Sequence, residues 1–177
     1  MNIFFVDNDP YIAAQSLVNK HVVKMIVESC QLLSTAHRVL DGQLTTTIVN
    51  GKNKKHWLLS DYREDVLYKA THINHPSAIW VRESTQNYLW LYNHLDGLLD
   101  EYTNRYGKIH KCQDSQMHAL LVPPVNLREF KMTTIPFCMP DEYMVENDPV
   151  ASYRNYYQYG KSHLHSWKNR DKPTWII

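Results

Sequence analysis

The length of 177 residues suits a single domain, residues 1–177, and the net charge of +1 indicates no whole-chain preference for acidic or basic partners. The three cysteines, Cys30, Cys112 and Cys138, have neither zinc-site spacing nor the pattern of a disulfide framework, which excludes a disulfide-rich secreted scaffold. The first residues do not resemble a signal peptide, and no apolar run is long enough to span a bilayer. We therefore expect a cytoplasmic protein without membrane contact.

The chain opens with an apolar segment, residues 2–6, that predicts a short strand or extended arm. Asp9-Pro10 then has the residue types that begin a helix, an N-cap followed by proline at the first helical position. Apolar residues recur at helical spacing to about Leu40, and Asp41-Gly42 ends the pattern. These signals predict one long first helix.

The next segment predicts a hairpin and then a second long helix. Residues 45–52 are β-branched and end in Asn50-Gly51, which favours a tight hairpin turn. A short helix is expected over 59–70 and another over 77–83. A second long helix is predicted from Ser84 or Thr85 to Gly107.

The last third combines short helices with a long irregular segment. A helix is expected over 113–121, and the proline-rich stretch 122–144 is long enough to be a functional loop. Asp148-Pro149 begins the last helix. The predicted fold class is therefore mainly α, a single compact helical domain with a short N-terminal extended arm and a small β-hairpin.

A line of ionisable side chains follows the first long helix. His21, Lys24, Glu28 and Gln31 are spaced by three, four and three residues, so a helix places them on one face. An imidazole, an amine and a carboxylate in one line are suited to proton transfer or Schiff-base chemistry. The alternative is a solvated helix face. Arg38, further along the helix, is a candidate substrate contact.

A second cluster precedes a predicted helix at Pro76. His72 and His75 lie just before this helix, where backbone N–H groups favour an anion, and Arg82 lies about two turns further on. The cluster predicts an elbow that holds a phosphate. The alternative is that His75 only satisfies nearby backbone groups.

A third cluster is the basic and aromatic segment 152–175. Arg154, Lys161 and Lys168 alternate with tyrosines and tryptophans, a composition suited to phosphates and exposed bases. The alternative is that the rings pack and the cations are solvated. No zinc, calcium or phosphate-loop motif is present, so neither a metal nor a cofactor is expected.

These features together resemble the phage pyrimidine-dimer DNA glycosylases of the endonuclease V type, which are small helical proteins. The resemblance rests on the extended arm, on the seven-residue interval from His21 to Glu28, on Asn74-His75-Pro76 at a helix start, and on the ending Lys172-Pro-Thr-Trp175. It implies that Glu28 stabilises the sugar cation or assists proton transfer, while basic and aromatic residues hold a kinked duplex with a flipped base. The chain also looks like uncharacterised proteins of tailed phages, which implies the cytoplasm of a host cell.

The sequence departs from this family at its nucleophile. In the family, the amine of a small second residue, exposed by methionine removal, forms a Schiff base, whereas this chain has the larger Asn2. We therefore expect Lys24, made reactive by burial, to supply the amine, and His21 to act with Lys24 and Glu28. The residues predicted to bind substrate are His72, His75, Arg82, Arg38, Arg154, Lys161 and Lys168.

The predicted function is therefore that of a DNA glycosylase or abasic-site lyase acting on a flipped or modified base. Two alternatives remain open at this point. One is an enzyme of nucleotide or modified-base metabolism with a small substrate, and the other is a non-catalytic protein that binds nucleic acid or nucleotides. The expected partner is DNA or a nucleotide, and the sequence does not specify an oligomeric state.

Overall fold

The computed structural model describes residues 1–177, apart from the side chain of Val49. Within this described chain the elements are seven α-helices and one antiparallel hairpin, which confirms the mainly helical fold class. The helices are α1 Pro10–Ser16, α2 Asn19–Asp41, α3 Arg63–Val66, α4 Pro76–Val81, α5 Thr85–Tyr106, α6 Lys111–Leu120 and α7 Pro149–Asn155. The strands are β1 Gln43–Val49 and β2 Lys52–Leu58.

The predicted first helix is two helices, because the chain is extended at Leu17 and Val18. Side chains from distant segments bond the backbone at this break. Arg105 on α5 donates to the carbonyl oxygens of Gln15 at 2.9 Å and Leu17 at 2.7 Å. The hydroxyl of Tyr157 accepts the Val18 N–H at 3.0 Å. The prediction of one continuous helix was wrong because long-range partners replace helical hydrogen bonds here.

The second long helix, α5, was predicted at both of its ends. The Ser84 side chain accepts the Asn87 N–H, and Gly107 ends the helix with φ of 64°. This left-handed backbone favours glycine. Helix α5 packs against α1 and α2, and the three form the centre of the fold.

The N-terminal arm is buried in this centre and forms no strand. Ile3, Phe4, Phe5 and Val6 are at most 5% exposed. The Phe5 ring packs on Trp90 of α5, with 4.5 Å between ring centroids. Because the arm buries four apolar side chains, the position of the chain start is fixed by packing.

The hairpin has the predicted turn. Asn50 and Gly51 have φ of 51° and 73°, as a tight turn with two left-handed residues requires. The helix expected over 59–70 shortens to α3. Helix α3 ends where the backbone becomes extended at Leu67, and Arg38 donates to the carbonyl oxygens of Leu67 and Tyr68 just beyond it.

The end of the chain contains single turns instead of one long helix. Helix α7 begins at the predicted Asp148-Pro149 and then continues as a wider turn, Tyr156–Gly160. Across the residues that the structure covers, no helix combines the length and apolar character needed to cross a bilayer.

Candidate active site

Glu28 lies where the chain start meets the middle of α2. Its Oε2 accepts the backbone N–H of Asn2 at 3.1 Å, and its Oε1 lies 3.4 Å from Nζ of Lys24. The Glu28 side chain is 16% exposed and the Lys24 side chain is 67% exposed. The predicted line on α2 thus includes a carboxylate with one nitrogen beside each of its oxygens. The expected burial of Lys24 was wrong, because its side chain reaches into solvent.

Asn2 fixes the chain start beside this carboxylate, and the sequence analysis assigned it no such role. Its Oδ1 accepts the N–H groups of Ile3 at 2.7 Å and Phe4 at 3.0 Å. Its Nδ2 donates to the carbonyl oxygen of Cys138 at 2.8 Å, in the proline-rich loop. The only signal in the sequence is that asparagine favours such local turns. The hydrogen bond to Cys138 could not be predicted from neighbouring residues, because Cys138 is distant in the sequence.

His21 lies behind the site and supports the arm. Its Nδ1 is 2.7 Å from the hydroxyl of Tyr157, and its ring stacks on Phe4 with 4.3 Å between centroids. The Tyr157 hydroxyl already accepts the Val18 N–H, so its own hydrogen points to His21. Burial, followed by the charges of Lys161 and Lys24, lowers the pKa of His21 to about 4. The imidazole is therefore neutral near pH 7 and acts as a hydrogen-bond acceptor.

His72 and His75 lie in the loop before α4, and the charge of Glu28 acts on His75. Burial lowers the pKa of His75, and the charges of the chain's terminal amine and His72 act in the same direction, while Glu28 opposes them. Nδ1 of His75 accepts the Ser77 N–H at 3.2 Å. This N–H belongs to the helix start that we had assigned to a phosphate. His72 is exposed, and its Nδ1 bonds the hydroxyl of Thr71 at 2.7 Å.

Two of the predicted arginine contacts are committed to the protein's own backbone. Arg38 is fully buried and donates to carbonyl oxygens of the 57–68 segment and to the Glu64 carboxylate. It has no exposed surface with which to bind substrate, so we correct its assignment to a structural one. Arg82 donates to the carbonyl oxygens of Ala78 at 3.0 Å and Ile73 at 2.6 Å. It therefore braces the loop that carries His72 and His75.

The predicted cations of the C-terminal segment lie over aromatic rings. Nζ of Lys161 is 4.8 Å from the centroid of Tyr156, and Nζ of Lys168 is 5.6 Å from that of Tyr106. The charge of Lys161 also helps to lower the pKa of His21, so Lys161 lies near that imidazole.

Arg154 has a different set of partners. It donates to the Val6 carbonyl oxygen and to Asp7, each at 2.8 Å, and lies 5.4 Å from the centroid of Trp175. It ties the arm to the C-terminal tail.

No group of three or more His, Cys, Asp or Glu side chains is placed to hold a metal ion among the residues described by the structure. The site as described is therefore one of a carboxylate, amide and amine nitrogens, imidazoles and nearby cations. This set suits acid, base and amine chemistry on an anionic substrate.

The comparisons with known proteins give one match. The family model described as pyrimidine dimer DNA glycosylase matches residues 1–114. The matched part includes the arm, α2 with Glu28, the hairpin, the His72–His75 loop and α5, and it ends within α6. Neither a curated protein nor a solved structure matches the chain.

Proposed function

Since the chain belongs to the pyrimidine dimer DNA glycosylase family, we propose that its reaction takes place at the Glu28 carboxylate, on a nucleotide turned out of a DNA duplex. Membership of this family implies DNA glycosylase and lyase activity and a DNA substrate. The observation that supports this location is the placement of Glu28 between two nitrogens, Asn2 N at 3.1 Å and Lys24 Nζ at 3.4 Å.

The proposed reaction uses an amine beside a carboxylate. The amine nitrogen attacks C1′ of the damaged nucleotide, and the glycosidic bond breaks with its electron pair leaving on the base, which takes up a proton. The attacking nitrogen then loses a proton to Glu28, and the C1′–O4′ bond breaks with its electron pair on O4′, which takes up that proton. C1′ and the nitrogen are left joined as a protonated Schiff base. Glu28 passes the first proton, which it takes from the ammonium group before the attack, to the departing base. The carboxylate is then ionised again, so that it can accept the second proton and stabilise the positive charge that develops on the sugar. Removal of a C2′ proton then expels the 3′ phosphate, which is the lyase step.

We assign the amine to Lys24. Its Nζ belongs to a side chain and is present irrespective of processing at the chain start. Its ammonium group must lose a proton before the nitrogen can attack, and Glu28 Oε1 lies 3.4 Å away to accept it. The Asn2 nitrogen is closer to Glu28, but it becomes an amine only if Met1 is removed.

The surrounding side chains have two kinds of proposed role. His75, His72, Lys161 and Lys168 bind or orient the sugar-phosphate, because each is at least partly exposed. His21 is a positioning residue, since it contacts Phe4 and Tyr157.

The two rival functions make different demands on this site. An enzyme for a small nucleotide would need a closed pocket, and a non-catalytic binder would not need Glu28. The exposure of Lys24 favours a large substrate that covers the site on binding. The family match favours catalysis.

Trapping with borohydride tests the proposal directly. The protein is incubated with duplex DNA that carries an ultraviolet lesion or an abasic site, the Schiff base is reduced, and the modified peptide is identified by mass spectrometry. We expect an adduct on Lys24 that is absent in the Lys24→Gln variant. An adduct on the terminal amine would overturn the assignment to Lys24 and keep the reaction class. Absence of an adduct together with salt-insensitive DNA binding would overturn the proposed site.

A further inference from the structure

The hairpin is a uniformly basic surface outside the Glu28 site. Between Asp41 and Asp61 the chain has no acidic residue, and β2 contains Lys52, Lys54 and Lys55 followed by His56. All three lysines are exposed. None of them pairs with a carboxylate in the part of the chain that the structure describes. Their positive charge is therefore available to a partner.

The strand register places several polar side chains that can donate hydrogen bonds on one face of the hairpin. Lys54 pairs with Thr47 and His56 with Thr45, so these four side chains and Lys52 project to the same side. Nε2 of His56 bonds the Thr47 hydroxyl at 2.6 Å, which holds the imidazole across the strands. Ammonium, hydroxyl and imidazole groups in one row are suited to phosphate oxygens.

A hollow of about 180 Å³ lies where the hairpin meets the following loop. It is lined by Lys54, Lys55, His56, Trp57, Leu58, Lys69 and Ala70. The one carboxylate that bonds a lining residue is Glu64, which pairs with Lys69 and is itself bound by Arg38. Because two cations already share that carboxylate, the hollow keeps a positive character that favours an anion.

The hollow and the Glu28 site lie along the same helix. The loop that leads from Lys69 to His75 is tied to α2 where the Thr71 N–H donates to the Thr35 hydroxyl at 3.2 Å. Thr35 follows Glu28 by seven residues, so it lies on the same face about 10 Å further along the axis. The end of α2 at Asp41 is about 20 Å from Glu28 by the same rise per residue. The hairpin begins two residues later.

We infer that the hairpin is a second DNA-contacting arm, which binds backbone phosphates several base pairs from the nucleotide held at Glu28. The separation follows from the ~20 Å of α2 between Glu28 and the base of the hairpin, since each base pair advances the duplex axis by ~3.4 Å. The inference rests on the proposed function for the place of the damaged nucleotide. Its contacts are sequence-independent, because lysines that reach phosphates carry no base readout.

The test is the salt dependence of binding to a duplex with a stable abasic-site analogue. The variant K52Q/K54Q is compared with K108Q/K111Q, which removes the same charge from other exposed lysines. Each lost phosphate contact lowers the slope of log affinity against log salt by about 0.9, so the hairpin variant, which lacks two contacts, should lose about 1.8. The control should lose less than about 1. Thermal unfolding of both variants checks that the fold is intact.

A second measurement locates the contact on the DNA. Wild-type protein should bind a duplex cut to about three base pairs on one side of the analogue roughly tenfold more weakly than the full duplex. The hairpin variant should bind the two duplexes equally. Equal slopes for the hairpin and control variants, or an equal truncation effect in the hairpin variant and wild type, would overturn the inference. If wild-type protein itself shows neither a borohydride-trapped adduct nor salt-sensitive binding, the proposed function fails, which is a distinguishable outcome.

Discussion

Glu28 on α2 and Glu101 on α5 each pair with a cation four residues away, yet their surroundings differ. Glu101 is 2% exposed and accepts Nε of Arg105 on one oxygen and Nε of Arg170 on the other, each at 2.9 Å. Glu28 has a backbone amide on one oxygen and the exposed Lys24 on the other. The same local spacing thus gives a closed ion network in one helix and an accessible pair in the other. Burial and partner number separate a structural carboxylate from a candidate catalytic one.

The largest effect is expected when the accessible carboxylate loses its charge. Glu28→Gln keeps an oxygen that accepts the Asn2 N–H but cannot take a proton from an amine. We expect the single-turnover rate on abasic-site DNA to fall about 10³-fold, with thermal unfolding unchanged. Glu146→Gln, at an exposed position just after the proline-rich stretch, is the matched control and should keep the wild-type rate. A wild-type rate for Glu28→Gln would contradict the assigned role.

The opposite pattern is expected for the closed network. Glu101→Gln leaves the buried Arg105 guanidinium without its carboxylate, so the free energy of unfolding should fall by about 3 kcal/mol in urea titrations. The turnover rate per folded molecule should stay at the wild-type value. If Glu101→Gln lost activity without losing stability, the distinction between a structural Glu101 and a catalytic Glu28 would be wrong.

Acid should weaken the packing behind Glu28 through His21. Its pKa of about 4 in the fold lies below the ordinary value of 6.5, so the unfolded chain binds the proton more readily. The stability that depends on a neutral His21 is fully present above pH 6.5 and is lost as the pH falls towards 4. At pH 5 this residue should have lowered the free energy of unfolding by about 2 kcal/mol. His37 and His94, whose pKa values are also lowered, to about 4 and about 3, add losses of the same sign.

The contribution of His21 is isolated by comparing stabilities at pH 7 and pH 5. His21→Gln has a polar side chain that does not titrate, and its stability should decline less over this range by about 2 kcal/mol. Parallel declines for wild type and variant would show that His21 does not carry the effect.

The smallest effect on stability is expected for the exposed partner of Glu28. Lys24→Gln should change the free energy of unfolding by less than about 0.5 kcal/mol, because an exposed ion pair contributes little. The same variant should lose the borohydride-trapped adduct. Lys20→Gln, one turn earlier and also exposed, should retain both stability and adduct.

Local rules predicted the elements whose determinants are adjacent in sequence. The caps at Asp9 and Ser84, the stop at Gly107 and the Asn50-Gly51 turn all lie where sequence signals place them. The polar line of α2 was also predictable, since helical spacing alone brings Lys24 and Glu28 together.

Features made by distant segments could not be predicted in this way. The break at Leu17 depends on Arg105, which lies 88 residues away. The placement of Asn2 against Glu28 depends on the burial of the arm, and the interior position of Arg38 depends on carbonyl groups that follow the hairpin. In each case a long side chain or a buried segment satisfies backbone groups that no sequence window contains together.

The interior position of Arg38 has a consequence for the order in which parts of the protein open. Its guanidinium joins the end of α2 to the Trp57 carbonyl at the hairpin base and to Glu64 and Leu67 beyond it. The ends of the two strands near the hairpin turn can fray without breaking these hydrogen bonds. The 57–68 segment, in contrast, cannot detach from α2 unless the guanidinium is left buried and unpaired. The amide hydrogens of the hairpin tip should therefore exchange with solvent by local opening, while the segment around Leu67 opens cooperatively with α2.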